Sequence, residues 1–293
     1  MAINQNAPCK LCGVTARLIR KSHIIPDFLY DGIRDQTNRM VMLNNTDSTS
    51  RPRIHQTGVF EKYILCDKCE HERLGQLERY AAMILNGGTS KTAPVFENRI
   101  SNDGIRSIYA SNLDYTKFKL FVLSIVWRAH TSSQRFFNAV TLSKEDAECI
   151  KSLLLRRLPG KEDEYRVSIV GLKNVNGELV RFLTSPWVGV IEGRPMATFY
   201  IAGFCYFINL SSLPAMELLE KVYLKETGEI EIPILNGMQS FELLKAMRIN
   251  EPLAKYMTLM TVGNVIATKK KAEAPTYTLT YRNPPLSSSK PFR

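Results

Sequence analysis

The sequence lacks any hydrophobic run long enough to cross a bilayer. Its strongest apolar run, LFVLSIVW at residues 120–127, is too short and is flanked by Lys117, Lys119 and Arg128. The first ten residues, MAINQNAPCK, also lack the apolar stretch after basic residues that marks a secretory signal. These absences predict a cytoplasmic protein that has no membrane partner.

The chain is also short of acidic residues. It has 28 Asp and Glu against 39 Lys and Arg, which gives a net charge of +11 at pH 7. An excess of basic charge favours an anionic partner, and nucleic acid is the commonest one. We therefore expect nucleic-acid binding, while a basic protein without such a partner stays open as the alternative.

Cysteine is scarce, and four of the six cysteines fall into two pairs. The segments CKLCG (9–13) and CDKCE (66–70) each carry two cysteines separated by two residues. Thiols stay reduced in the cytoplasm, so such pairs indicate metal binding rather than disulfides. Two pairs supply the four sulfurs of a closed tetrahedral zinc site, and the alternative is four buried free cysteines. The predicted zinc ligands are Cys9, Cys12, Cys66 and Cys69.

Composition divides the chain into three segments. Residues 1–87 form one unit, which we expect the zinc to stabilise locally, and NGGTSKTAP at 86–94 is a break of Gly, Ser, Thr and Pro. Residues 95–268 predict a mixed helical and antiparallel-sheet domain of unknown role, through which the chain could bind a protein partner or form a homo-oligomer. Residues 269–293 are rich in Pro, Ser and basic residues, which predicts a disordered tail.

Local patterns predict individual elements of the middle segment. The stretch IRSIYASNLDYTKFKLFVLSIVWRAHTS predicts a largely buried helix with Leu113 or Asp114 near its start, and Ser143 is a good N-cap for KEDAECIKSLLLRRL. The stretches YRVSIVGLKN, LVRFLTSPWVGVIEG and ATFYIAGFCYFINL have the period of strands, with Gly193-Arg194-Pro195 as a turn candidate. Helical periodicity returns in SFELLKAMRI and EPLAKYMTLMTVGNVIA.

The second cysteine pair runs directly into the helical pattern EHERLGQLERYAAMIL, in which Leu74, Leu77 and Ala81 recur at helical spacing. The pair is therefore expected at a helix N-terminus. The interval between the two pairs is too long for a compact zinc ribbon, so the zinc must join two distant segments with a hairpin between them. The order knuckle, hairpin, knuckle and helix predicts a treble-clef arrangement within an α+β protein.

The segments SHIIP (22–26) and LCDKCE (65–70), after the first cysteine pair, resemble the HNH endonuclease family over residues 9 to about 80. The family pattern is Cys-x-x-Cys, Asp-His-Ile-x-Pro, an Asn shortly before Leu-Cys, and Cys-Asn-x-x-Lys. His23 stands at the general base and Ser22 at the metal-binding Asp or His before it. Glu61 stands at the middle Asn of the pattern. Glu70 stands at the metal-binding Asn or His, and Arg73 stands at the terminal Lys.

The resemblance implies a metal-dependent DNA endonuclease in which His23 takes a proton from water and a cation stabilises the leaving oxygen. Ser22 and Glu70 would hold that Mg²⁺ or Mn²⁺. Glu61 would accept the Nδ1–H of His23 and fix its tautomer. His55 and His71 are further candidates for completing the metal site. The family also suggests a role in defence against foreign DNA.

Two other functions stay open at this point. One is a zinc-dependent nucleic-acid-binding protein that has lost cleavage. The other is an interaction protein in which the zinc only holds the fold together. Basic residues near the first cysteine pair suit either form of nucleic-acid binding because they could face a phosphate backbone. They are Lys10, Arg17, Arg20 and Lys21.

Overall fold

The structure, a computed structural model, describes residues 6–35, 37–43, 53–85, 94–101, 104–174, 177–179, 183–211 and 219–246. Three of the predictions above concern residues outside these ranges. They are the disordered tail at 269–293, most of the break at 86–94, and the helix in EPLAKYMTLMTVGNVIA.

The described residues form short strands in the N-terminal third, and longer strands and helices after it. The strands are β1 (Asn6–Pro8), β2 (Thr15–Arg17), β3 (Ser22–His23), β4 (Met40–Leu43), β5 (Arg53–His55), β6 (Phe60–Glu61), β7 (Val95–Ile100), β8 (Arg106–Ser111), β9 (Val167–Leu172), β10 (Leu183–Thr184), β11 (Trp187–Ile191), β12 (Arg194–Ile201), β13 (Phe204–Asn209) and β14 (Ile230–Leu235). The α-helices are α1 (Gly75–Leu85), α2 (Tyr115–Thr131), α3 (Lys144–Arg156) and α4 (Gly237–Ala246). A π-helical segment, Lys68–Leu74, leads into α1, and 3₁₀ turns cover Asp27–Tyr30 and Arg135–Phe137.

Most of the strands belong to one ten-stranded sheet in the order β5-β4-β10-β12-β13-β9-β14-β8-β7, with β11 also paired to β12. Its pairs are antiparallel except β4 with β10 and β9 with β14. Strand β9 lies inside the sheet and is buried on both faces, because its side chains alternate between two apolar clusters. The predicted α+β class with a mostly antiparallel sheet is confirmed.

Helix α2 is buried on nearly all sides, which agrees with its continuous apolar sequence. Asp114 caps it by accepting a hydrogen bond from the Lys117 backbone N–H at 2.9 Å. Ser143 caps α3 in the same way, accepting from the Asp146 N–H at 3.0 Å. Both predicted helix starts are therefore confirmed.

Tight turns divide segments that the periodicity alone left continuous. The stretch ATFYIAGFCYFINL forms the hairpin β12–β13, because Ala202 and Gly203 adopt positive φ angles of 53° and 97°. The preceding turn is at Glu192-Gly193, one residue earlier than the predicted Gly193-Arg194-Pro195. The hairpin β7–β8 was not predicted, and β8 corrects the beginning of the helical stretch, since RSIYAS forms a strand before the helix starts.

The described residues of the N-terminal segment share an apolar cluster with the rest of the chain. Strand β4 pairs in parallel with β10, where Met42 lies opposite Leu183, so β4 and β5 of the N-terminal segment belong to the large sheet. One apolar cluster includes Leu11 near the first cysteine pair, Phe121 in α2 and Ile208 in β13. The division of the chain near residue 87 stays a prediction, and the two predicted segments share this apolar cluster. In the part of the chain that the structure describes, no helix is both long and apolar enough to span a membrane.

Candidate functional site

The four predicted zinc ligands lie together. Their sulfur atoms are all within 4.8 Å of one another. Cys9 and Cys12 occupy the turn of the β1–β2 hairpin, where the Gly13 N–H donates to the Cys9 carbonyl at 2.8 Å and Gly13 has a φ of 75°. The second pair begins the helical region, and the Cys66 N–H donates to Cys9 Sγ at 3.4 Å.

The spacing and the donor set fit a metal ion such as zinc. Tetrahedral thiolates at about 2.3 Å from zinc are roughly 3.8 Å apart, and the Sγ atoms of Cys12 and Cys66 are 3.8 Å apart. Burial first, and then the neighbouring Cys9 charge, raise the pKa of the Cys69 thiol. Four thiolates this close together would repel one another, and a bound Zn²⁺ would supply the neutralising charge.

The residues predicted for catalysis lie beside this cluster. Strands β3 and β6 pair antiparallel, with Ser22 opposite Glu61 and His23 opposite Phe60. The π-helical segment then turns wider than an α-helix, since the Gly75 N–H donates to the carbonyl of Glu70 five residues earlier. Ser22 Oγ donates to Glu70 Oε2 at 2.7 Å, so the structure brings these two predicted metal ligands into direct contact.

His23 is half-buried next to this pair. Its Nε2 lies 3.7 Å from Asp27 Oδ1, too far for a hydrogen bond, and that nitrogen is buried without a hydrogen-bond partner among the described residues. Burial lowers the pKa of His23, and Lys21 and Arg128 lower it further against the opposing carboxylates Asp27 and Glu78. The lowered pKa favours the neutral imidazole, which is the form able to accept a proton.

Glu61 has partners other than the one predicted. Its Oε2 accepts from Ser132 Oγ at 3.0 Å, from the Ser133 N–H at 2.6 Å and from Ser133 Oγ at 2.9 Å. Burial raises the pKa of this carboxyl, but these hydrogen bonds outweigh burial and lower it overall. Within the described residues Glu61 makes no hydrogen bond to the His23 ring. Its carboxylate instead joins the paired strands β3 and β6 to the chain that follows α2.

The remaining predicted residues lie away from the Ser22–Glu70 contact or bind elsewhere. His71 is exposed, with its Nε2 3.5 Å from Asp67 Oδ1. His55 lies opposite Met40 on β5, at one edge of the large sheet. Arg73 donates to the Leu155 carbonyl at 2.6 Å, which joins the π-helical segment to α3.

Arg128 contacts the site, although the sequence placed it only at the end of an apolar run. Its side chain is fully buried, and Nη1 donates to the His23 carbonyl and to Glu78 Oε1, each at 2.7 Å. Burial raises the pKa of Glu70, while the Arg128 charge and the Ser22 hydrogen bond oppose that increase. A charged residue at the end of the apolar run LFVLSIVWR was the one sequence signal for this role.

We predict that Arg128→Met lowers the free energy of unfolding by about 3 kcal/mol, because it leaves Glu78 and the His23 carbonyl without their partner. Urea denaturation of both proteins measures the loss. Arg156→Met, at an exposed position of α3, is the control and should change stability by less than about 0.5 kcal/mol. A loss as small as the control's would contradict the role assigned to Arg128.

The chain was also compared with known proteins. It matches no protein-family model, no curated protein and no solved structure.

Proposed function

We propose that the chain is a zinc-stabilised endonuclease of the HNH type that hydrolyses DNA with the help of a divalent cation. The observation that carries this proposal is the 2.7 Å contact between Ser22 Oγ and Glu70 Oε2, next to His23. These residues come from a strand and from the helix that follows the second cysteine pair. The resemblance assigns catalysis to those same positions.

The residue types at the two metal-ligand positions differ from those of the HNH pattern, but the total charge of the two positions is the same. The HNH pattern, where the strand residue is Asp and the helix residue is Asn, has an acid on the strand and a neutral oxygen donor on the helix. This chain has the neutral hydroxyl of Ser22 on the strand and the carboxylate of Glu70 on the helix. Both sets therefore offer one carboxylate and one neutral oxygen, the kind of donors that Mg²⁺ and Mn²⁺ prefer.

The distance between the two oxygens also fits a shared cation. Adjacent ligands of an octahedral Mg²⁺ at about 2.05 Å are roughly 2.9 Å apart, and Ser22 Oγ and Glu70 Oε2 are 2.7 Å apart. When bound, the cation would stabilise charge on the leaving oxygen. Ser22 and Glu70 are the residues that would hold it.

His23 is suited to the role of general base. Its lowered pKa favours the neutral form, and its Nε2 has no hydrogen-bond partner among the described residues that competes for a proton. Asp27, 3.7 Å from that nitrogen, would stabilise the imidazolium that forms when His23 takes a proton. Arg128 holds the His23 main chain in place through its carbonyl.

The surroundings support the HNH assignment and a nucleic-acid substrate. The first cysteine turn, the paired strands β3 and β6, the second cysteine pair and the helix occur along the chain in the order expected for a treble clef, with β4 and β5 lying between β3 and β6. Four of the exposed side chains on the segment before His23 are basic, and the ammonium of one of them, Lys21, lies 5.1 Å from the Phe60 ring centroid. Basic side chains of this kind bind phosphates without reading the sequence. The basic residues of this segment are Lys10, Arg17, Arg20 and Lys21.

A second candidate is a nucleic-acid-binding protein of the same fold that does not cleave. It is favoured by the burial of Ser22, which is fully inaccessible, and of His23 Nε2. The Arg128 guanidinium also places a positive charge near Glu70 without any divalent cation. For cleavage, Ser22 and His23 Nε2 would have to become accessible when DNA binds. Binding through the exposed basic residues needs no such change.

A plasmid-nicking assay separates the two candidates. Protein loaded with zinc is incubated with supercoiled DNA, with and without added Mg²⁺ or Mn²⁺, and without a chelator that would remove the zinc. We predict conversion to nicked DNA only when Mg²⁺ or Mn²⁺ is added. The binding-only protein would instead be supported if the DNA is retarded on the gel but stays intact with either metal, and if single-stranded DNA is not cleaved either.

A further inference from the structure

Strand β7 (Val95–Ile100) is the last strand of the ten-stranded sheet. It pairs with β8 on one side, and no strand in the described part of the chain pairs with its other side. All six of its side chains are exposed, including the large apolar residues Val95, Phe96 and Ile100 at 48%, 50% and 69%. An open edge with unpaired backbone groups and apolar side chains can accept another strand.

The charges on β7 do not protect this edge against a second copy of the chain. Edge strands are commonly guarded by lysine or proline, but β7 has neither and carries one acid and one base. Glu97 and Arg99 are two residues apart, so they project from the same face of the sheet, and Arg99 Nη2 lies 2.9 Å from Glu97 Oε2. With this spacing, Glu97 of one copy can pair with Arg99 of a second copy when the two β7 strands run antiparallel.

We propose that β7 pairs antiparallel with β7 of a second copy of this chain, around a two-fold axis at Asn98. In this register Glu97 of each copy lies opposite Arg99 of the other, which makes two ion pairs on one face. On the other face Phe96 of each copy lies opposite Ile100 of the other, which makes two apolar pairs. The two sheets become one continuous sheet.

The sequence of β7 selects this register over its neighbours. A two-fold axis perpendicular to the sheet places the same face of both copies on the same side. Each allowed register therefore has the axis at a residue, and neighbouring registers differ by one residue in the position of the axis. An axis at Glu97 would bring two glutamates together, and an axis at Arg99 would bring two arginines together. Only the axis at Asn98 pairs opposite charges and apolar side chains at once, and like charges directly opposite are unfavourable.

The contact is small, so the dimer should depend on protein concentration. Main-chain hydrogen bonds of the added strand supply most of the affinity, while the side-chain pairs fix the register. Light scattering during size-exclusion chromatography, at increasing load, should therefore give a mass that rises towards twice the 33.3 kDa of the chain.

A charge exchange tests the register. Glu97→Arg places a new arginine opposite Arg99 of the other copy, and Arg99→Glu places two glutamates opposite each other. Each variant should raise the dimer dissociation constant by about 30-fold. An equimolar mixture of the two variants should regain the dimer, because every cross-strand pair then has opposite charges, and so should the double variant E97R/R99E.

Several results would overturn the proposal. One such result is that the wild-type protein stays monomeric at high concentration. The same holds if hydrogen exchange shows that β7 of this monomer is protected by another segment of the same chain. Another is a dimer that neither single variant weakens, since it must use a different surface. A mixture of the two variants that stays monomeric would equally exclude the register, even if each variant alone loses the dimer.

Discussion

Cys66→Ser is expected to destabilise the whole chain, with a loss that approaches the roughly 5–15 kcal/mol by which a folded domain is stable. Structural zinc sites in small domains contribute about 10–16 kcal/mol of apparent binding free energy, which is available only to the folded state. A serine hydroxyl does not replace the thiolate, so the variant should also lose zinc. Elemental analysis and urea denaturation measure the two effects.

The shared core makes this effect wider than the sequence suggested. From composition, zinc was expected to stabilise residues 1–87 locally. In the structure, β4 is hydrogen-bonded to β10, and Leu11 beside the cysteine turn belongs to the same apolar cluster as Phe121. Loss of the metal should therefore be transmitted to the large sheet, where hydrogen exchange of β10 and β12 would increase.

Cys149→Ser is the matched control, because Cys149 is exposed on α3 and lies outside the four-sulfur cluster. It should keep both zinc content and stability. If Cys66→Ser loses zinc while exchange in β10 and β12 stays at the wild-type level, the two parts of the chain are more independent than their common core implies.

Sequence reasoning was most successful where a few neighbouring residues determine the structure. A two-residue spacing brings the thiols of each pair together, and Asp114 and Ser143 cap helices through contacts three residues away. The hairpin at Ala202-Gly203 shows the limit of this approach, since both flanking strands have the same alternation and an alanine in the left-handed region is unusual.

Contacts between distant residues could not be read from the sequence. Arg128 and the His23 carbonyl are 105 residues apart in the chain, and Glu61 binds Ser133 across 72 residues. Periodicity assigns Arg128 to a buried helix but gives no partner for its charge. The wider π-helical turn before Gly75 is likewise invisible to a helical pattern of 3.6 residues, although it contains Glu70, which contacts Ser22.

His23→Ala is expected to reduce cleavage by about a thousandfold, within the range of 10²–10⁴ that a general base contributes. The cysteine cluster and the exposed basic residues are unchanged in this variant, so zinc content and DNA affinity should stay near wild type. Such a split arises because the base acts mainly in the transition state. Single-turnover nicking rates, elemental analysis and a DNA-binding titration measure the three quantities separately.

Glu70→Gln tests the metal ligand beside it. Glutamine keeps the size of the side chain and can still accept from Ser22 Oγ, but it removes the carboxylate charge that a divalent cation requires. Cleavage should fall strongly and recover in part at high Mn²⁺ concentration, while zinc is retained. His71→Ala is the control on the same helical segment, because His71 is exposed and pairs with Asp67, and it should cleave as wild type does.

Loss of zinc or of folding in His23→Ala or Glu70→Gln would mean that the Ser22–Glu70 contact supports the fold rather than catalysis. Loss of cleavage in His71→Ala would move the metal site towards that residue.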